Sequence, residues 1–221
     1  FKPVVGLGGI SFGLMDWDTI IDDKGTFSLP GRDRVYRDWA WTPKNPGGQG
    51  KVDLRRAIYR SSNIYFYDVA SRMDIGRLAS FTEQFGYGKK LISDFPSVAT
   101  GLVPNEEWKL KSRAEKWYQG DTVNLGIGQG DLLVTPVQVA YLAATIANRG
   151  ELVDLKMVRS IPKSASVDAG EYSDSSSRQV LGLAPLDWER MAEAMEDVVH
   201  LGDQGYGNNG TAWAYIGQNI P

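Results

Sequence analysis

The sequence predicts a mainly helical chain whose short strands are confined to one turn-rich stretch near its beginning. Apolar residues recur at helical spacing in several segments, most clearly at Trp188, Met191, Met195 and Val198. Glycine, proline and aspartate instead cluster between residues 15 and 50, which is typical of turns that join short strands.

The first half of the chain holds four predicted helices and one predicted strand. Residues 3–14 are apolar, and we expect them to form a buried helix that begins before Phe1. A short strand is expected at residues 34–39. Three further helices are expected in succession at residues 52–61, 63–73 and 74–85. Asp74 is a suitable N-cap for the last of them, and Gly86 is a suitable stop.

The middle of the chain reads as a long loop followed by a well-marked helix. Residues 87–131 are expected to be mostly loop, with one short helix beginning at Asn105. Thr135 and Pro136 are favoured at a helix start, and Gly150 is favoured just beyond a helix end. Apolar residues lie nearly all round this helix, which predicts that it is buried.

The last part of the chain combines one amphipathic helix with turn-rich segments. Residues 163–178 are rich in serine, and we expect an exposed loop there. His200 is expected at the C-terminal end of the amphipathic helix, where a partial positive charge interacts favourably with the helix dipole. Residues 202–210 are expected to form a turn-rich exit.

Composition excludes several classes of function. The chain has 221 residues, 42% of them hydrophobic, which is enough for one sizeable core. The net charge is -3 without a basic block, so nucleic-acid binding is not predicted. Cysteine is absent and His200 is the single histidine, which excludes thiol nucleophiles and histidine-rich metal sites. No apolar run is long enough to span a membrane, and we expect the chain to be an excised segment.

Four motifs follow one another in a characteristic order. The chain opens with FKP, YRSSNIYFY spans residues 59–67, QGDTVNLGIGQG spans residues 119–130, and Thr135-Pro136 follows. In this order and at these spacings they resemble the class B penicillin-binding transpeptidases. YRDW at residues 36–39 and WYQGDT at residues 117–122 look closest to the penicillin-binding protein 2 branch.

The resemblance implies a fold class and a domain boundary. The family has the α+β fold shared with serine β-lactamases, in which helices cover both sides of a mainly antiparallel sheet. Residues 1–221 are then expected to be an incomplete transpeptidase domain, mostly helical, with much of the sheet outside it. The domain is expected to begin inside the Ser-x-x-Lys motif and to end before the Lys-Ser/Thr-Gly motif.

The resemblance also assigns roles to three residues. In the family a serine attacks the D-Ala-D-Ala carbonyl, and an acceptor amine resolves the acyl-enzyme. Lys2 matches the lysine of Ser-x-x-Lys, which places the nucleophile two residues before Phe1. Ser61 would relay a proton between Lys2 and the leaving amine, and Asn63 would hold Lys2 and the substrate amide. To act as a base near neutral pH, a lysine needs its pKa lowered by roughly 3 units from about 10.4.

Simpler interpretations compete with each of these roles. Lys2 taken alone reads as a solvated lysine, and residues 61–63 read as a helix cap. The glycines at 126, 128 and 130 resemble a nucleotide-binding loop, but no strand clearly precedes them, and we interpret them as structural. Among functions, the alternatives are a β-lactam sensor or serine β-lactamase, and a catalytically inactive scaffold with the same fold.

A zinc site is not predicted. Some members of this branch hold zinc with two Asp, one His and one Cys. Asp23 and Asp38 match the two Asp positions, whereas Gln49 and Ser62 stand where the His and Cys would be. Two carboxylates without nitrogen and sulfur ligands make a poor zinc site, so we expect neither a metal nor a cofactor.

The resemblance further implies a cellular setting. The substrate would be the stem peptide of peptidoglycan, and β-lactam antibiotics would acylate the enzyme. Partners would be the elongation glycosyltransferase RodA and the scaffold protein MreC. The domain would lie in the periplasm, anchored to the inner membrane by a transmembrane helix outside these residues.

Overall fold

Helices dominate the architecture of the chain. The computed structural model describes residues 1–157, 178–202 and 208–217. The helices there are α1 (Lys2–Ser11), α2 (Leu54–Tyr59), α3 (Asn63–Ser71), α4 (Ile75–Gln84), α5 (Glu106–Arg113), α6 (Gln119–Gly126), α7 (Pro136–Ala147) and α8 (Pro185–His200), followed by a π-helical segment, Trp213–Gly217. None of the helices in these described ranges is long and apolar enough to cross a membrane.

The strands are short and form three separate antiparallel pairs. Within the described residues the strands are β1 (Ile21–Asp23), β2 (Thr26–Ser28), β3 (Val35–Arg37), β4 (Gly50–Val52), β5 (Glu151–Leu152) and β6 (Arg178–Gln179). β1 pairs with β4, β2 with β3, and β5 with β6. The predicted strand at residues 34–39 is confirmed by β3.

Helix α1 lies in the centre of the core. Val4, Val5 and Leu7 are completely buried, which confirms the predicted buried helix. Helix α3 packs beside α1 and contributes the fully buried aromatic rings of Tyr65 and Phe66. Burying such large apolar surfaces is the main contribution that holds these helices together.

Side chains cap the helices where the sequence predicts them. The Asp74 carboxylate accepts a hydrogen bond from the backbone of Arg77 at the start of α4. Asn105 accepts from Trp108 at the start of α5, and Thr135 accepts from Gln138 at the start of α7. Each cap pairs a backbone N–H group that the helix itself leaves free.

Helix α6 corrects the prediction that residues 87–131 hold a single short helix. Its sequence is poor in strong helix formers, but Val123 and Leu125 are buried against the rest of the molecule. The Asp121 carboxylate also accepts a hydrogen bond from the Tyr118 backbone, which closes the first turn. Tertiary packing therefore outweighs the weak helix propensity of this segment.

Helix α7 corrects the prediction of a helix buried all round. Gln138, Tyr141 and Ile146 are buried on one face, whereas Val137 and Val139 are 37% and 50% exposed. The helix thus packs through a single face despite its apolar composition.

The remaining expectations concern the final third of the chain. α8 confirms the amphipathic helix, and His200 is its last residue. The predicted loop at 163–178 lies outside the described residues except for Arg178, which belongs to β6. Most of the predicted turn-rich exit, residues 203–207, also lies outside them.

Candidate active site

Lys2 lies at the start of α1, and its amine contacts the segment between α2 and α3. The Lys2 Nζ atom donates to the Ser61 carbonyl oxygen at 2.5 Å and lies 2.9 Å from Ser61 Oγ. It also donates to Asn63 Oδ1 at 2.8 Å. The structure therefore brings together the three residues that the sequence assigns to the site, although they are about sixty positions apart in the chain.

The backbone conformation of Ser61 makes this arrangement possible. Its φ angle of +54° is in the left-handed region, which residues other than glycine rarely adopt. Such a conformation costs on the order of 1 kcal/mol and persists only where surrounding contacts maintain it. Here it turns both the carbonyl and the hydroxyl of Ser61 towards the Lys2 amine.

Ser62 performs the capping role that a simpler interpretation of this motif predicts. Its hydroxyl oxygen accepts a hydrogen bond from the Tyr65 backbone at 3.1 Å and so caps α3. Ser62 can cap α3 while Ser61 and Asn63 contact Lys2, because successive side chains at the helix start point in different directions.

Burial lowers the pKa of Lys2 from 10.5 to about 8. Loss of hydration is the main cause, since removing the amine from water disfavours its charged form. The negative charges of Asp38 and Asp23 act in the opposite direction and raise the pKa. The shift has the direction that a general base requires, but it falls short of the roughly 3 units expected.

A cavity of about 550 Å³ lies directly against these residues. Its mixed lining is typical of a site that binds an organic ligand through a few polar groups. Sequence reasoning missed most of the wall, because it comes from side chains that are remote in sequence. The lining includes Lys2, Ser61, Asn63, Trp39, Gln129, Val198 and Thr211.

Trp39 and Gln129 are the missed residues for which the sequence does carry a signal. Trp39 belongs to the YRDW stretch; it is 54% exposed, and its indole N–H donates to the Arg60 carbonyl. Gln129 stands between Gly128 and Gly130, in the stretch that was interpreted as structural. That interpretation was incomplete, because the stretch also forms part of the cavity wall.

The structure also places the four residues at the zinc-ligand positions side by side, behind the Lys2 pocket. Ser62 Oγ donates to Asp23 Oδ2 at 2.7 Å, and Gln49 Nε2 lies 3.5 Å from Asp38 Oδ1. Backbone N–H groups of Gly25 and Asn63 donate to the remaining oxygens of the two carboxylates.

This set of donors does not fit a zinc ion. The Gln49 amide is a weaker zinc ligand than the imidazole of a histidine, and the Ser62 hydroxyl is a far weaker ligand than a thiolate. No group of three or more His, Cys, Asp or Glu side chains suited to a metal occurs within the described ranges. The absence of zinc from the protein stays a prediction, which metal analysis can test.

Comparison with known proteins connects this geometry to one family. The model of the penicillin-binding protein transpeptidase domain matches residues 1–217. The peptidoglycan D,D-transpeptidase MrdA of Acinetobacter baumannii is 37% identical over 201 residues, which is 91% of this chain and 29% of that protein. The chain therefore spans less than a third of this relative's length.

Solved structures give the same result. The crystal structure of penicillin-binding protein 2 of Pseudomonas aeruginosa in complex with WCK 5153 matches with a TM-score of 0.83 and 36% identity. The match covers 99% of this chain and 46% of that one. Penicillin-binding protein 2 of Helicobacter pylori, solved in complex with MreC, matches with a TM-score of 0.74 and 26% identity over 96% of this chain and 35% of that one. The α+β fold expected from the motifs is thus confirmed.

Proposed function

Because this chain belongs to the penicillin-binding protein transpeptidase family, we propose that it is part of a peptidoglycan D,D-transpeptidase that cross-links the cell wall during elongation. The observation that supports this most directly is the contact of Lys2 with Ser61 and Asn63 at the wall of a ligand-sized cavity. The relatives named as peptidoglycan D,D-transpeptidases support the same reaction.

In this proposal Lys2 is the general base. A serine on the preceding turn of the Lys2 helix attacks the carbonyl carbon of the D-Ala-D-Ala bond, and its hydroxyl proton passes to neutral Lys2 Nζ. Ser61 Oγ, 2.9 Å from that nitrogen, carries a proton on to the departing D-Ala amine. The acyl-enzyme forms as the peptide bond breaks, and an acceptor amine later releases it.

Asn63 has a positioning role in the same scheme. Its Oδ1 atom accepts from Lys2, while its Nδ2 group makes a long contact of 3.5 Å with the Arg37 carbonyl and no shorter one within the described residues. That N–H group can therefore donate to the carbonyl of a substrate amide in the cavity.

The wider setting is proposed on the same basis. Residues 1–221 form an incomplete transpeptidase domain, and the rest of the domain supplies the nucleophile and the Lys-Ser/Thr-Gly strand. The substrate is the peptidoglycan stem peptide, and β-lactams acylate the same serine. The domain works in the periplasm, anchored to the inner membrane, with RodA and MreC as partners; the Helicobacter pylori relative solved with MreC supports the second of these.

Covalent labelling of the full-length protein with a fluorescent penicillin tests the reaction. The wild-type protein is expected to be labelled, and Lys2→Ala is expected to reduce the labelling rate by about 100- to 10,000-fold, because general-base catalysis supplies factors of that size. Lys24→Ala is the matched control, since Lys24 is exposed and its ion pair is with the exposed Asp22.

Two outcomes contradict the proposal. Equal labelling rates in Lys2→Ala and the wild type would remove Lys2 from the reaction. A wild-type protein that folds but takes no label would instead favour the inactive scaffold with the same fold.

A further inference from the structure

Two buried carboxylates lie behind the Lys2 pocket and take no part in the proton transfers proposed above. Asp23 is 1% exposed and Asp38 is 4% exposed. Buried carboxylates are costly unless they are hydrogen-bonded, so a pair of them beside a candidate active site requires a structural or functional reason.

Asp38 is hydrogen-bonded to Asn63, one of the two residues that contact Lys2. Its Oδ2 atom accepts from the Asn63 backbone N–H at 2.7 Å, and its Oδ1 atom accepts from Ala40 at 3.0 Å. Asn63 is the first residue of α3, where the backbone N–H group has no partner within the helix. Asp38 therefore fixes the backbone from which the Asn63 amide reaches the Lys2 amine.

Asp23 fixes the neighbouring residue in the same manner. It accepts from the Ser62 hydroxyl at 2.7 Å, and the Ser62 oxygen in turn caps α3 through the Tyr65 backbone. Ser61, in its left-handed conformation, lies immediately before these two anchored residues. A strained residue persists only where its surroundings hold it, and Asp23 and Asp38 hold the two residues that follow Ser61.

We propose that Asp38 is a positioning residue for Asn63, and that Asp38, Asp23 and Ser62 hold the Ser61–Asn63 segment through hydrogen bonds without a metal ion. This inference rests on the proposed transpeptidase function. Asp23, Asp38 and Ser62, which do not fit a zinc ion, thus have a different role here. Their hydrogen bonds join the end of β1 and the residue after β3 to the start of α3.

Penicillin labelling of the full-length protein tests this role through two substitutions of one residue. Asp38→Ala removes the oxygen that accepts from Asn63 and is expected to slow labelling by about 100-fold, as misplacement of a group by about 1 Å does. Asp38→Asn keeps one acceptor oxygen, which can face the Asn63 N–H, but it loses the charge and turns its NH2 group towards the Ala40 backbone. Because the contact with Asn63 is retained, labelling is expected to stay within about 10-fold of the wild type. Asp22→Ala, at an exposed position next to Asp23, is the control.

Coupling to Asn63 separates positioning from general stability. If Asp38 acts through Asn63, then Asp38→Ala is expected to slow labelling by less than about 3-fold in a protein that already carries Asn63→Ala, because contacting residues are not additive. A purely structural role predicts the same factor in both backgrounds and a matching loss of thermal stability.

The outcomes are distinguishable from each other. Loss of labelling in Asp38→Asn equal to that in Asp38→Ala would overturn the role of the acceptor oxygen, even if Asp38→Ala does not fold. A stoichiometric, tightly held zinc in the wild type would overturn the metal-independent arrangement. A folded wild type that takes no label would overturn the proposed function, and with it the role of Asp38.

Discussion

At the scale of the residue, opposing forces set the charge of Lys2. Burial lowers its pKa to about 8, while Asp38 and Asp23 limit the change by favouring the charged form. With a pKa near this value, roughly a tenth of the Lys2 side chains are neutral at pH 7. In the proposed mechanism, Lys2 would therefore be available as a base in a small fraction of molecules at neutral pH and in most of them above pH 8.

We therefore expect penicillin labelling to accelerate with pH along a limb centred near pH 8, where Lys2 becomes neutral. Labelling rates of the full-length protein measured between about pH 6 and pH 9.5 would define this limb. The residual labelling of Lys2→Ala is expected to lack it. A flat profile in the wild type, or an unchanged limb in Lys2→Ala, would contradict the assignment.

The same pKa shift has a defined sign for stability. The folded state releases the Lys2 proton near pH 8, whereas the unfolded chain holds it up to about pH 10.5. Between these values the unfolded state binds more protons, so the contribution of Lys2 to the free energy of unfolding rises with pH. Burying charged Lys2 therefore opposes folding below pH 8, and this cost disappears as the pH approaches 10.5.

At the scale of the element, α6 depends on close contact with α3. A Cβ atom at Gly126 would lie 2.4 Å from Ala70 Cβ and 2.9 Å from the Phe66 carbonyl oxygen. Glycine thus allows the two helices to touch through their backbones, and this contact positions the segment that carries Gln129 into the cavity wall.

Gly126→Ala is expected to destabilise the protein by about 1 to 3 kcal/mol, because the added methyl group overpacks the contact between α6 and α3. Thermal unfolding of the full-length protein measures the change. Gly76→Ala in α4 is the comparison: its Cβ would approach one side-chain oxygen, Asp74 Oδ1, at 3.2 Å, so the loss of stability should be smaller than at Gly126, where the Cβ would approach Ala70 and backbone atoms more closely. An equally stable Gly126→Ala would show that α6 does not need this close approach.

At the scale of the whole molecule, α8 joins parts of the chain that are distant in sequence. Trp188 is 2% exposed and packs on Phe85 after α4 and on Gly150 after α7. Arg55 of α2 forms an ion pair with Asp197 near the other end of α8. Through Val198, the same helix contributes to the cavity beside Lys2.

Trp188→Ala is expected to destabilise the protein by roughly 3 to 5 kcal/mol, since it removes a large buried ring and leaves a cavity. Leu186→Ala in the same helix is the control, because Leu186 is 58% exposed and its loss should change stability little. Unfolding by heat, followed for both variants, gives the comparison. Similar midpoints for the two variants would exclude Trp188 as an anchor of α8.

The sequence by itself determined most helices, their caps, and the three residues at the candidate site. The helices and caps follow from local rules: apolar spacing and capping residues such as Asp74 and Thr135. The three site residues follow instead from the resemblance of the ordered motifs to a known family. Only the tertiary structure decided the existence of α6, the exposure of one face of α7, and the contribution of Trp39 and Gln129 to the cavity. It also decided that Asp23 and Asp38 meet behind Lys2. Each of these depends on contacts between distant segments, and the energy of such contacts is not encoded in any local window of the chain.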